Sequence, residues 1–181
     1  MTGDTVLLTL GRLPVALDLA RSFKRAGWRV LAADPLRMTM AHASRAVDRT
    51  FRVPPPASDP AGFAGALGRI ARRESVSLIV PVSEECLHVA ALSAPGRGNP
   101  PVFGPPAPDL EALHDKYRFA VTARAAGLAV PDTCLPGGAA AAALAERGPV
   151  VVKPRHGSAG RGIRYYPAGA MPAASDGDLL Q

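Results

Sequence analysis

The stretch Val150-Val151-Val152-Lys153-Pro154-Arg155-His156-Gly157-Ser158-Ala159-Gly160-Arg161-Gly162-Ile163 joins a run of valines to a lysine and then to a glycine-rich turn. β-Branched residues in succession predict a buried strand, over 149–154, with 163–166 as its hairpin partner. The strand carries a lysine at its end and leads directly into Gly157, Gly160 and Gly162. That order has a physical use. Glycines let a backbone fold close over a phosphate chain and aim amide N–H groups at it, while the lysine ammonium supplies a compact positive charge. One charge-assisted contact of this kind contributes about 1.5–3 kcal/mol. An ordinary hairpin with a glycine loop and a solvated lysine would show the same local pattern. A Walker A loop would not, because its lysine follows the glycines at a helix start.

Upstream of this stretch, apolar strands alternate with helical patterns, the rhythm of a parallel sheet with helices packed on it. Residues 5–10 read as a buried strand, ended by Gly11. Pro14 opens a helix whose apolar face is Val15, Ala16, Leu19, Ala20, Phe23 and Ala26, closed by Gly27. Strands follow at 29–34, 51–53 and 77–82. Between the last two, Asp59 and Pro60 cap a helix with Phe63, Leu67, Ile70 and Ala71 on one face. A short strand is predicted at Val102 and Phe103. Leu110, Leu113, Tyr117 and Val121 recur at helical spacing over 109–126, with a second helix starting at Asp115 as cap, which puts Lys116 beside a helix N-terminus. After Pro131, residues 133–135 read as a strand and the Ala-rich 139–147 as a helix. The domains are thus 1–108, a linker helix over 109–130, and 131–181.

Composition sets the boundaries of function. In 181 residues, 48% hydrophobic content is enough to bury a core, and there is no apolar run of the length a membrane span needs and no signal-peptide pattern, so a cytoplasmic protein without a membrane partner is expected. Cys86 and Cys134 lie far apart and read as buried thiols. A net charge of +6 raises the question of nucleic acid. However, the basic residues are scattered and aromatic residues make up only 5%, too few for stacking, so no nucleic-acid partner is expected. Of the 21 basic residues only Lys24, Lys116 and Lys153 are lysine, so arginine fills most positions where either would serve.

Lys153 followed by glycines, with Lys116 earlier on a linker helix, resembles the ATP-grasp superfamily of carboxylate ligases, in particular the branch of carbamoyl-phosphate synthetase large chains. The resemblance extends along the chain. Gly11-Arg12-Leu13-Pro14 looks like the first turn of a Rossmann-like pre-ATP-grasp domain, His114-Asp115-Lys116-Tyr117 like the linker-helix lysine, and Val130-Pro131 like the entry to the small α+β subdomain. The implied fold is α/β, a parallel-sheet domain followed by an incomplete ATP-grasp small subdomain. The implied roles are contacts from Lys116 to ATP phosphates and from Lys153 to the α-phosphate and adenine side. Gly157, Ser158, Ala159, Gly160, Arg161 and Gly162 would close over the β- and γ-phosphates. The implied activity is ligation of a small carboxylate to an amine or thiol through an acyl-phosphate, with ATP and Mg2+.

The departure from the family pattern lies at 178–181. Asp178-Leu179-Leu180-Gln181 looks like the start of the next family strand, and the magnesium ligands of the family fall beyond it. No residue here is assigned as catalytic or as a metal ligand. The expectation is an N-terminal portion of a ligase, inactive alone, whose incomplete second sheet leaves an edge open to association as a homo-oligomer. Two alternatives stay open. One is a non-catalytic module that binds a nucleotide or partner. The other is a dinucleotide-binding Rossmann domain with Asp34 as the ribose acid, although Leu13 and Ala16 stand where two fingerprint glycines belong. Arg12 is a candidate for holding a substrate carboxylate. Glu84 and Glu85 read as helix-cap acids, and His42, His88, His114 and His156 form no recognisable dyad or metal set.

Overall fold

Apolar runs short enough for strands, separated by helices, leave the first part of the chain one way to bury both sheet faces. The computed structural model describes residues 3–93, 98–157 and 159–181, which pack as two compact units, Met1–Ala107 and Pro108–Gln181. In the first unit β1 (Thr5–Thr9), β2 (Arg29–Asp34), β3 (Arg49–Arg52) and β4 (Leu78–Val80) form a parallel sheet in the order β3-β2-β1-β4. β1 is buried throughout, the reason it reads as a continuous apolar run and not as an alternation.

Helix α1 (Pro14–Arg25) covers one face, where Ala20 packs with Val6, Leu8, Val30 and Val80. Gly27, at φ 84°, ends it, and the Trp28 N–H returns to the Phe23 carbonyl at 3.0 Å. Helix α2 (Pro60–Arg73), capped by Asp59 through the Gly62 N–H at 2.8 Å, places Phe63, Leu67 and Ala71 against Leu7, Leu31 and Ile79 on the other face. The parallel sheet with helices on it is the architecture expected from the sequence. Some details differ. Val15 and Ala26 of the expected α1 stripe are exposed. Val102 joins Ile79 through a single parallel bridge, and Phe103 faces solvent, so the predicted two-residue strand is one residue long. A short helix α3 (Cys86–Val89) and a 3-10 turn (Ala90–Ser93) follow β4.

The second unit holds α4 (Ala107–His114, opening at the boundary), α5 (Lys116–Ala125), α6 (Gly138–Arg147), β5 (Val150–Pro154), β6 (Arg164–Tyr166) and β7 (Asp178–Leu180). The strands form an antiparallel sheet, β6-β5-β7, whose Val150, Val152 and Leu180 pack on Ala141 and Ala145 of α6. The alanine run is the buried face of that helix, where small side chains allow close approach.

Three expectations are corrected here. In the segment 133–135 only Cys134 pairs, with Leu180, because prolines at 131 and 136 flank it and lack the ladder donor. The stripe Leu110, Leu113, Tyr117, Val121 is not a buried face, since Leu113 and Val121 are exposed and α5 buries Ala120 and Ala123 instead. The break at Asp115 separates two helices, so a period counted across it does not describe one surface. Both cysteines are only half-buried and unpaired, and partial burial raises the pKa of each. Among the described residues no helix is long and apolar enough to cross a membrane.

Candidate functional site

Alternation along β5 turns Val150 and Val152 into the core, so Lys153 emerges on the opposite face. Its Nζ donates to Gln181 Oε1 at 2.6 Å, and Gln181 Nε2 donates to Thr133 Oγ1 at 3.0 Å. The ammonium is therefore held in place at the carboxyl end of its strand. Pairing of β5 with β7 is what brings position 181 to it, through the two Val151–Gln181 backbone hydrogen bonds of 2.7 and 2.9 Å.

Lys116 stands at the first position of α5, directly after its cap. Asp115 Oδ1 accepts from the N–H groups of Tyr117 at 3.0 Å and Arg118 at 3.2 Å. The Lys116 ammonium reaches across to the segment that follows β5 and donates to the carbonyls of Pro154 at 3.2 Å, Arg155 at 3.4 Å and Gly157 at 2.6 Å. Its backbone N–H also donates to Arg155 O at 3.0 Å. The second unit thus brings Lys116 to the residues immediately after Lys153.

The clasp between these two segments contains pairings that the sequence did not single out. Asp115 accepts from Arg155 Nε at 3.2 Å and from Nη2 in a second, shorter contact. The Arg155 guanidinium is the leading cause that holds the Asp115 carboxyl down to about 2, helped by the backbone donors at Arg118 and Tyr117 and opposed by burial. The rings of His114 and His156 stack with centroids 5.7 Å apart. The contact is a ring stack, not a hydrogen-bonded dyad or a metal set. Its members are 42 residues apart in sequence, and only the docking of these segments makes them neighbours.

The loop that follows has several residues with positive φ. Gly157, Ala159, Gly160 and Gly162 have φ of 113°, 55°, 71° and 75°. Among the described residues the N–H groups of Gly157, Ala159, Gly160, Arg161 and Gly162 donate to no protein acceptor, while that of Ile163 returns to Gly160 O at 3.4 Å. Arg161 is exposed. Ser158, the remaining member of the predicted set, lies outside the described residues. Gly162 has a packing reason of its own, because a Cβ there would come within 2.8 Å of Pro154 Cγ. Of the two ammonium groups, that of Lys116 meets this loop directly, at Gly157 O. Magnesium has no comparable set, since no three of His, Cys, Asp and Glu are grouped to hold a metal ion among the described residues.

The first unit was expected to offer Arg12 and cap acids. Arg12 is instead paired with buried Asp34, its Nη1 lying 3.1 and 3.2 Å from the two carboxylate oxygens. Asp34 also accepts from the N–H groups of Arg12 and Leu36, at 3.0 and 2.7 Å, so it is not presented as a ribose acid would be. Glu85 is buried and does not cap α3. Its Oε1 accepts from Thr9 Oγ1 and from the N–H groups of Val82 at 2.8 Å and Ser83 at 3.2 Å, tying the end of β1 to the loop after β4. The other oxygen, Oε2, is buried without a partner among the described residues.

Solved structures carry the comparison further. The chain is similar to the biotin carboxylase domain of 2-oxoglutarate carboxylase from Hydrogenobacter thermophilus, at 22% identity over 99% of this chain and 44% of that one, with a TM-score of 0.71. It is similar to a biotin carboxylase from Campylobacter jejuni at 20% identity over 97% and 44%, with a TM-score of 0.72. A third similar structure, N5-carboxyaminoimidazole ribonucleotide synthetase from Thermotoga maritima, has 17% identity over 98% and 45% and a TM-score of 0.66. The chain has the fold of the N-terminal part of an ATP-grasp enzyme. It spans less than half the length of each of these three ATP-grasp chains. The first was solved with MgADP, ADP and bicarbonate, and the second as a complex with β,γ-ATP. No family model and no curated protein matches the sequence.

Proposed function

We propose that this chain is the ATP-binding N-terminal part of an ATP-grasp ligase that joins a small carboxylate to an amine or thiol through an acyl-phosphate. The observation that carries the reading is the contact of the Lys116 ammonium with Gly157, the start of a glycine-rich loop whose described amides donate to no protein acceptor among the described residues and which directly follows the strand that holds Lys153. ATP, when bound, supplies the phosphoryl group and its charge. The chain's own residues bind and orient. Lys153 would meet the α-phosphate side, held ready by Gln181, and Lys116 would exchange a carbonyl for a phosphate oxygen. The loop amides, with Ser158 and Arg161, would cover the β- and γ-phosphates, acting by fixed dipoles and without reorganisation. Residues 1–108 would act as the pre-ATP-grasp domain and 109–130 as the linker. We place the magnesium ligands and the groups that stabilise the reacting carboxylate outside residues 1–181, so binding without turnover is expected from this polypeptide.

Equilibrium binding of ATP to the purified chain is the test. Lys116→Ala and Lys153→Ala should each weaken it about tenfold or more, the equivalent of a charge-assisted contact of about 1.5–3 kcal/mol. Equal weak affinity in wild type and Lys153→Ala would remove the basis of the proposal. ADP release that depends on an added carboxylate and amine would overturn the expectation of no turnover.

A further inference from the structure

The carboxyl ends of β2 and β3 carry a second constellation, wholly inside the first unit and independent of the nucleotide proposal. A cavity of about 220 Å³ opens there, with Asp34, Arg37, Thr39, His42, Thr50 and Arg52 among its lining. Register explains the grouping. Ala32 lies opposite Thr50 and Asp34 opposite Arg52, so alternation puts these pairs on one face of the sheet. The segment between the two strands folds back over their ends and closes the wall. Ala41 seats against Gly11, its N–H donating to Gly11 O at 3.1 Å, and a Cβ on Gly11 would come within 2.8 Å of the Ala41 methyl.

The lining is electropositive in net charge. Asp34 is the carboxylate in it, and that carboxylate is already satisfied by Arg12 and two backbone donors. Because Arg12, from outside the lining, pairs with Asp34, the guanidinium groups of Arg37 and Arg52 are left without a carboxylate of their own in the wall. Arg37 makes no hydrogen bond or ion pair among the described residues, and Arg52 commits only Nε, to Pro35 O at 3.3 Å. One full guanidinium fork and the Nη groups of a second therefore remain for a ligand. His42 Nδ1 is bonded to Thr50 Oγ1 at 2.9 Å, which orients the ring and leaves Nε2 uncommitted. Guanidinium forks match the paired oxygens of carboxylates and phosphates. Open parallel sheets bind ligands beyond the carboxyl ends of their strands, where this cavity lies.

We infer that this cavity binds a small organic oxyanion, a phosphate ester or a carboxylate, gripped by Arg37 and Arg52 with His42 and Thr50 as a hydrogen-bonding wall. Its volume is that of about seven waters at roughly 30 Å³ each, enough for one oxyanion group and a short organic body. Titration of the chain with inorganic phosphate, and separately with succinate, is the experiment. One probe should bind saturably at one site per chain, and the stronger of the two tells phosphate ester from carboxylate. Arg37→Gln and Arg52→Gln should each weaken that binding about tenfold or more, the effect of removing a charge-assisted contact of about 1.5–3 kcal/mol. Both residues are exposed, and unchanged Trp28 emission would establish that the variants are folded. Arg69→Gln, on α2 over the opposite sheet face, should leave binding unchanged. Absence of saturable binding of either probe, or equal weakening in Arg69→Gln, would overturn the inference. ATP binding that survives in Arg37→Gln separates this site from the nucleotide site.

Discussion

Asp115 does two jobs with one carboxylate: it caps α5 and it receives Arg155 from the segment after β5. The first was legible in the sequence, because an aspartate before a helical run is a local signal. The second was not, since nothing local in either segment pairs residues that are 40 apart. The depressed pKa of about 2 fixes the sign of a pH effect. The stabilising contribution is fully present above the ordinary carboxylate range near 4 and is lost as pH falls through about 2. Urea unfolding followed at pH 7, 4, 3 and 2 should show this loss in wild type and a flatter acid limb in Asp115→Asn. Asp115→Ala, which also removes the cap, should cost about a further 1 kcal/mol. An acid limb in Asp115→Asn as steep as in wild type would contradict the assignment. Lys116 and Lys153 were legible as candidates because lysine is rare in this chain. Their partners, three carbonyls and Gln181, depend on strand pairing.

The loop between β5 and β6 shows how an element's residues divide between strain and shape. Ala159 already occupies φ 55°, a region that costs an L-residue roughly 1–2 kcal/mol. Ala159→Gly should recover up to about 1 kcal/mol of that, less the greater freedom glycine has when unfolded, readable as a small rise in Tm. Gly162→Ala combines φ 75° with a methyl 2.8 Å from Pro154 Cγ. It should cost about 1–2 kcal/mol and weaken ATP binding, because the loop must move away from Pro154. The glycine pattern was readable; that Gly162 also serves packing was not, because Pro154 closes on it only once the hairpin forms. The helix break at Asp115 teaches the same lesson. Its cap was visible, yet residues at helical spacing on its two sides do not share one surface.

Among the described residues three apolar clusters hold the molecule: two on the faces of the first sheet, around Phe63, Leu67 and Leu7 and around Val6, Leu8 and Ala20, and one around Val150, Val152 and Leu180. Trp28, the one tryptophan, packs edge-on against Phe23 at 5.2 Å beside the Val6 cluster, and so reports on unfolding of the first unit. Phe63→Ala, on the opposite face of the same sheet, should destabilise the unit by about 3–5 kcal/mol, measured as an earlier urea midpoint in Trp28 fluorescence. A midpoint unmoved from wild type would count against the placing of Phe63 at its centre. By itself the sequence determined the class of fold, since burial of β1 on both faces demands apolar runs and helix faces demand a 3.6 period, and both are written locally. It also singled out two lysines and a glycine loop. The tertiary structure decided what those residues touch: that Asp34 is satisfied by Arg12, that His114 meets His156, and that Glu85 is buried and tied to Thr9. Contacts between residues tens of positions apart are set by register and packing, which no local pattern encodes, so only the folded chain could place them.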